Sequence, residues 1–128
     1  MAAVVIDASA LIRLLTGVST AWEPSASDDL HAPSVVDTEV VATLRGASLR
    51  GVIPVRRAEE MLLDFVALPI TRHHQMRLIA RVWQMRNNFA VADAMYVALA
   101  EELGADLVTH DRYLARAIRR HTSVPVLP

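Results

Sequence analysis

A continuous apolar, β-branched run, Ala3 to Ile6, is closed by Asp7, and a second apolar segment around Leu107 and Val108 is closed by Asp111. Unbroken apolar runs of this length suit strands buried on both faces of a parallel sheet, so each aspartate stands at the carboxyl end of such a strand. Two further acids interrupt hydrophobic stretches, Glu39 within VVDTEVVATL and Asp93 within VADAMYVALA. A carboxylate facing a core is costly unless hydrogen bonds or a cation hold it. Four of them, two at the strand ends where open α/β sheets build their sites, suggest a divalent-metal site.

Between these points strand and helix signals alternate. After the strand at 3–6, a helix is expected over about 9–15, then a Gly-, Pro- and Ser-containing loop over 16–29 with at most a short helical turn. A brief strand at 30–32 leads to a helix opened by Pro33 and Ser34 that runs to about Leu49 and is ended by Gly51. Pro54 starts a helix to about Val66 through Ala58, Met61, Leu62 and Phe65. A second short strand is expected at 68–70. Thr71 is then expected to cap a helix whose apolar stripe is Met76, Ile79, Ala80 and Trp83, stopped by Asn87 and Asn88. The remaining elements are a helix over 91–103 stopped by Gly104, a strand at 106–110, a helix over 112–121 and a strand at 124–127. Strands alternating with helices mean an α/β fold with a mainly parallel central sheet of four to five strands flanked by helices. At 128 residues this is one domain, 1–128, without repeats or linkers.

Helical spacing turns Asp93 inward, beside Tyr96, Val97 and Ala100, and its first-turn position favours the ionised form. Glu39 shares a face with Val35, Val36 and Ala42. Asp37 is its rival, but residues two apart on a helix diverge, and Asp37 has a simpler role near the helix start. For any one acid alone, a cap or buried ion pair is as good an explanation as a site. Together they are not, since two carboxylates about 4 Å apart repel by about 4 kcal/mol at an effective dielectric of about 20, which calls for positive charge. Hard oxygen donors without cysteine favour Mg²⁺ or Mn²⁺ over Zn²⁺. Ser9 and Thr109, each two residues from a proposed ligand, are supporting hydroxyls, with a plain cap or turn as the alternative. Adjacent His73 and His74 diverge on a helix and are expected at the surface. His110 should point away from its neighbours, and Glu101 and Glu102 read as a solvated face.

The net charge of −1 gives no global attraction to nucleic acid, so any phosphate-binding surface must be local. Arg112, Arg116 and Arg119 recur at helical spacing just after Asp111, with Arg120 beside them, and form either a phosphate-binding stripe or a solvated face. All basic residues are arginine. The lack of lysine excludes phosphotransfer receivers and haloacid-dehalogenase-like phosphatases, whose pattern requires one. The hydrophobic fraction of 53% leaves room for an apolar partner surface, while acids at Asp7, Asp64 and Asp93 break any membrane span. The start of the chain shows no basic leader, which argues against secretion, and the absence of cysteine is compatible with a cytoplasmic location.

Taken in order, VVIDASALIRLL, the acid of EVVATLRG, DAMYVALAEELGADLVTHD and RYLARA resemble the PIN-domain family, specifically VapC-type toxins of type II toxin–antitoxin pairs. The resemblance spans nearly the whole chain. It implies that Asp7, Glu39, Asp93 and Asp111 hold Mg²⁺ or Mn²⁺, with Ser9 and Thr109 in support. It further implies an endoribonuclease that hydrolyses RNA with metal-activated water, restrained by a VapB-type antitoxin and acting as a homodimer. Ala92 departs from the family, which commonly has an aromatic residue before the third acid; here Phe89 is three residues earlier. The alternative is a PIN-like RNA- or protein-binding module without turnover.

Overall fold

The computed structural model describes residues 2–18 and 22–127. Its elements are β1 (Ala2–Ile6), α1 (Ala8–Leu15), β2 (Asp28–Pro33), α2 (Val35–Leu49), α3 (Val55–Ala67), β3 (Ile70–His73), a 3₁₀ turn (Met76–Leu78), α4 (Ile79–Gln84), α5 (Val91–Leu103), β4 (Asp106–Val108), α6 (Arg112–His121) and β5 (Val126–Leu127). The five strands form one parallel sheet in the order β3-β2-β1-β4-β5. The α/β class and the strand number agree with the sequence reading. Among the described residues no helix is long and apolar enough to cross a membrane.

The central strand β1 pairs with β2 on one side, Val4 opposite Leu30, and with β4 on the other, Val5 opposite Leu107. The chain winds outward from β1 through β2 to β3, then returns to β4 on the far side of β1. That reversal makes a topological switch point between the carboxyl ends of β1 and β4, where parallel sheets open a crevice. Val5, Ile6, Leu107 and Val108 are fully buried, as strands covered on both faces must be. Helix α5 lies across β1, β2 and β4, and buries Ala94 and every residue from Tyr96 to Ala100. Its end is set by Gly104 at φ +60°, where the left-handed backbone costs glycine little and the N–H returns to Ala100. Helix α6 covers the sheet with only Leu114 and Ile118 and leaves its arginines in water.

Five elements depart from the sequence reading. β3 spans Ile70–His73 rather than 68–70, so Thr71 lies in a strand and caps no helix. Pro69 has no N–H for a ladder, and pairing with β2 starts only after it, Leu30 opposite Ile70. The expected stripe of α4 is on the wrong side: Met76, Ile79 and Trp83 are 70%, 56% and 67% exposed, Ala80 is exposed, and Leu78, Val82 and Met85 fill the core. Both sets obey helical spacing. In this rotation Arg77 and Arg81 reach α5, their Nε atoms donating to Glu102 and Glu101 at 2.8 Å each. Lastly, β2 begins at Asp28, β4 ends at Val108 rather than His110, and β5 is only Val126–Leu127. Part of the expected 16–29 loop, residues 19–21, lies outside the described residues.

Candidate active site

The chain leaves β1 at Ile6 and turns into α1 at Asp7, whose carboxylate caps that helix. Oδ1 accepts from the Ala10 N–H at 2.9 Å and from Ser9 Oγ at 2.7 Å, and Oδ2 accepts from the Thr109 hydroxyl. The same hydroxyls tie the two strand ends together: the His110 N–H donates to Ser9 Oγ at 2.9 Å, and the Asp111 N–H donates to Thr109 Oγ1 at 3.0 Å. Asp111 in turn caps α6, its Oδ1 accepting from the Tyr113 and Leu114 N–H groups at 2.9 and 3.1 Å. Ser9 and Thr109 therefore both hydrogen-bond Asp7, and Asp7 and Asp111 are brought to the same crevice. His110 is exposed, although it lies beyond the end of β4 and not in a strand.

Glu39 and Asp93 approach from the helices. Glu39, half-buried on α2, accepts at 2.6 Å from the hydroxyl of Tyr96, which is only 1% exposed. Asp93 lies half-buried in the first turn of α5. Asp7, Glu39, Asp93 and Asp111 line one cleft of about 430 Å³ together with Ala8, Ser9, Ile12, Thr43 and Tyr96. Tyr96 was legible only as an inward neighbour of Asp93; that its hydroxyl crosses to α2 is a fact of tertiary structure.

The charges act on one another. Burial, then the negative charges of Asp111, Asp7 and Glu39, push the Asp93 carboxyl up to about 6. Burial also raises Asp7, against the pull of its three hydrogen bonds, with the Asp111 charge adding to the rise. Desolvation with the Glu39 carboxylate holds the Tyr96 phenol firmly protonated. Among the described residues no three carboxylate or imidazole groups are drawn close enough to ligate one ion directly.

Outside the cleft, Asp37 does not rival Glu39: its carboxylate accepts from Arg72 Nε at 2.8 Å. His73 is in β3, not on a helix, and enters a relay that the sequence did not disclose. Arg77 Nη2 donates to His73 Nδ1 at 2.9 Å, so the proton of this neutral ring is on Nε2, which donates to His31 Nδ1 at 2.7 Å. His31 Nε2 then donates to Asp29 at 2.8 Å. Burial first, then the charges of His31 and Arg77, lower the His73 pKa. Arg112, Arg116 and Arg119 are exposed on α6, which begins at Asp111, and make no ion pair among the described residues.

The model for the PIN domain matches residues 4–119. The chain belongs to the PIN-domain family. This PIN domain is 34% identical to ribonuclease VapC9 of Mycobacterium tuberculosis, covering 98% of each chain. Among solved structures it is similar to VapC20 of Mycobacterium tuberculosis, a sarcin–ricin loop cleaving toxin, with a TM-score of 0.63 at 15% identity, over 89% of this chain and 94% of that one. It is also similar to a chain of a toxin–antitoxin complex from Klebsiella pneumoniae, with a TM-score of 0.55 at 16% identity, over 98% and 96% of the two chains. At those identities the structural likeness is one of fold, and the PIN fold is what they share.

Proposed function

We propose that the protein is a metal-dependent endoribonuclease, the toxin of a type II toxin–antitoxin pair, with Asp7, Glu39, Asp93 and Asp111 as its metal-binding and catalytic residues. The observation that carries this reading is the convergence of these four acids on one cleft at the switch point, with Asp93 raised to about 6 by the others. The relative named a ribonuclease, matched over nearly its full length, supports the reaction class.

The donor set fits Mg²⁺ or Mn²⁺: it is all hard oxygen, neither histidine nor cysteine lines the cleft, and positive charge would relieve the repulsion on Asp93. A bound divalent cation would supply charge to the phosphodiester and lower the pKa of attacking water. The protein's own groups do the positioning. Asp7 is fixed by Ser9, Thr109 and the start of α1, and Asp111 by the start of α6. The arginines of α6 begin beside the acids and offer an RNA strand a basic surface that the net charge does not. Partners under this reading are an RNA substrate, a VapB-type antitoxin and a second copy of the chain. Exposed Leu63, Val66, Met76, Ile79 and Trp83 are apolar surface that such protein contacts would cover.

The test is cleavage of RNA by purified protein in metal-controlled buffer, with 5′ ends of the products mapped. Mg²⁺ or Mn²⁺ should be required. Asp7→Asn, Asp93→Asn and Glu39→Gln should each lower the rate on the order of 100-fold or more, since a catalytic metal is worth several kcal/mol. Wild-type rates from both aspartate variants would remove the site proposed here. Metal and RNA bound without any cleavage would indicate a binding module instead.

A further inference from the structure

The Tyr96–Glu39 contact is unlike the other carboxylate contacts in the cleft. Asp7 and Asp111 are held by groups at the adjoining ends of β1 and β4 and the starts of α1 and α6, whereas Glu39 belongs to the second turn of α2, beyond the free N–H groups of that helix. Among the described residues, the one hydrogen bond its carboxylate accepts comes from Tyr96 on α5, an element on the other side of the cleft. A glutamate has three rotatable bonds and, unpinned at an open cleft, would sample many rotamers. Tyr96 has no such freedom, being enclosed in the core at 1% exposure.

We infer that Tyr96 is a positioning residue: its hydroxyl pins Oε1 of Glu39 and leaves Oε2 as the atom offered to a cation in the cleft. This rests on the metal-site reading above and adds a requirement to it. Glu39 serves the site only while a rigid phenol on α5 holds it, so α2 and α5 must keep their spacing for the acid to count as a ligand. The bond is short and charge-assisted, in the class that fixes geometry most firmly. In this bond the phenol hydroxyl donates and the carboxylate accepts.

Calorimetric titration with Mn²⁺ tests this on wild type, Tyr96→Phe, Glu39→Gln and the double variant. Tyr96→Phe should weaken Mn²⁺ binding about tenfold, the usual scale for loss of a supporting partner of a metal ligand. The same change in the Glu39→Gln background should add nothing, because there is no ligand left to position. RNA cleavage by Tyr96→Phe should fall at limiting Mn²⁺ and recover at saturating Mn²⁺, a split that loss of packing would not produce. Undiminished Mn²⁺ affinity in Tyr96→Phe, with weakened affinity in Glu39→Gln, overturns the positioning role and leaves the metal site standing. Undiminished affinity in Glu39→Gln overturns the role of Glu39 and with it that of Tyr96. A second measurement covers the case in which Tyr96→Phe does not fold. Tyr113, 81% exposed, is the one other tyrosine, so in Tyr113→Phe the tyrosine ultraviolet difference spectrum on adding Mg²⁺ reports Tyr96 alone. A saturable change supports the contact with a metal-bound Glu39, and a flat spectrum under saturating Mg²⁺ refutes it.

Discussion

Replacing Asp93 with asparagine should make the metal-free protein more stable at neutral pH while removing its activity. The Asp93 carboxyl accepts no hydrogen bond from the described residues, and it faces the charges of Asp111, Asp7 and Glu39. Its ionisation is therefore less favourable in the folded protein than in the unfolded chain. A raised folded pKa means that the contribution of the group is intact below the unfolded value, near 4, and is lost as pH rises to about 6. The separation from 3.8 to about 6 corresponds to roughly 3 kcal/mol at about 1.36 kcal/mol per pH unit, and the half-exposed position, screened by water, brings the expected effect to about 1–2 kcal/mol. Asparagine keeps the shape and never ionises. Urea unfolding in EDTA should thus show Asp93→Asn and wild type equal near pH 3 and the variant about 1–2 kcal/mol more stable at pH 7 to 8, a rise of several degrees in Tm. Excess Mn²⁺ should reverse the order by stabilising wild type, which binds it, more than the variant. A variant no more stable than wild type in EDTA at pH 7, or an advantage independent of pH, would show that Asp93 does not bear the repulsion of the other three acids.

Two other outcomes are expected. Arg112→Gln with Arg116→Gln should weaken RNA binding and reduce the salt dependence of log K by about 0.7 per lost phosphate contact on a single strand, as measured by fluorescence anisotropy from 50 to 300 mM salt, with Mn²⁺ affinity unchanged; an unchanged slope and affinity would make the stripe a solvated face and turn the search to Arg56, Arg57 and Arg72. For His73 the pKa is lowered, so its neutral form contributes stability above the usual histidine value of 6.5 that is lost as pH falls below it. His73→Gln, which cannot gain a proton, should flatten the decline in urea stability between pH 7 and 5, and an equal decline in both proteins would remove His73 from the acid response.

How much of this was legible in the sequence follows from which forces are local. Helices α5 and α6 have the limits read from spacing and from Gly104, because a buried helix and a strongly two-faced helix each leave one solution. Helix α4 left two. Met76, Ile79 and Trp83 repeat as regularly as Leu78, Val82 and Met85, and contacts with α5, ion pairs to Glu101 and Glu102 among them, accompany the set that faces the core. From spacing alone those two acids read as a solvated face. Strand β3 was missed by a few residues because its start depends on pairing with β2, a contact across 40 positions of chain. The acids of the site were visible one by one, since a carboxylate among apolar neighbours is conspicuous. Their partners were not: the hydroxyl of Tyr96, the bridge from Thr109 to Asp7 and the His31–His73 relay each join residues far apart in sequence.

The cluster of acids raises the question of how the chain folds at all before any cation is bound, and helix starts supply the answer. Asp7 and Asp111 are the N-caps of α1 and α6, and Asp93 is in the first turn of α5. Three helices thus begin at the carboxyl edge of the sheet and turn their positive ends toward the cleft, each worth about 0.3–1 kcal/mol to a nearby carboxylate and more where N–H groups are donated directly. Asp7 and Asp111 receive such N–H groups, and Glu39, too far along α2 to share in this, receives a phenol instead. Among the described residues Asp93 has a helix start but no hydrogen bond, and it is the acid whose pKa rises to about 6. The repulsion within the cleft falls most plainly on Asp93, while Asp7 is raised chiefly by its burial. Folding tolerates a single half-buried carboxyl that can keep its proton, and a cation that displaces that proton would collect the repulsion stored there as binding energy, which links the chemistry of the site to its position on the sheet.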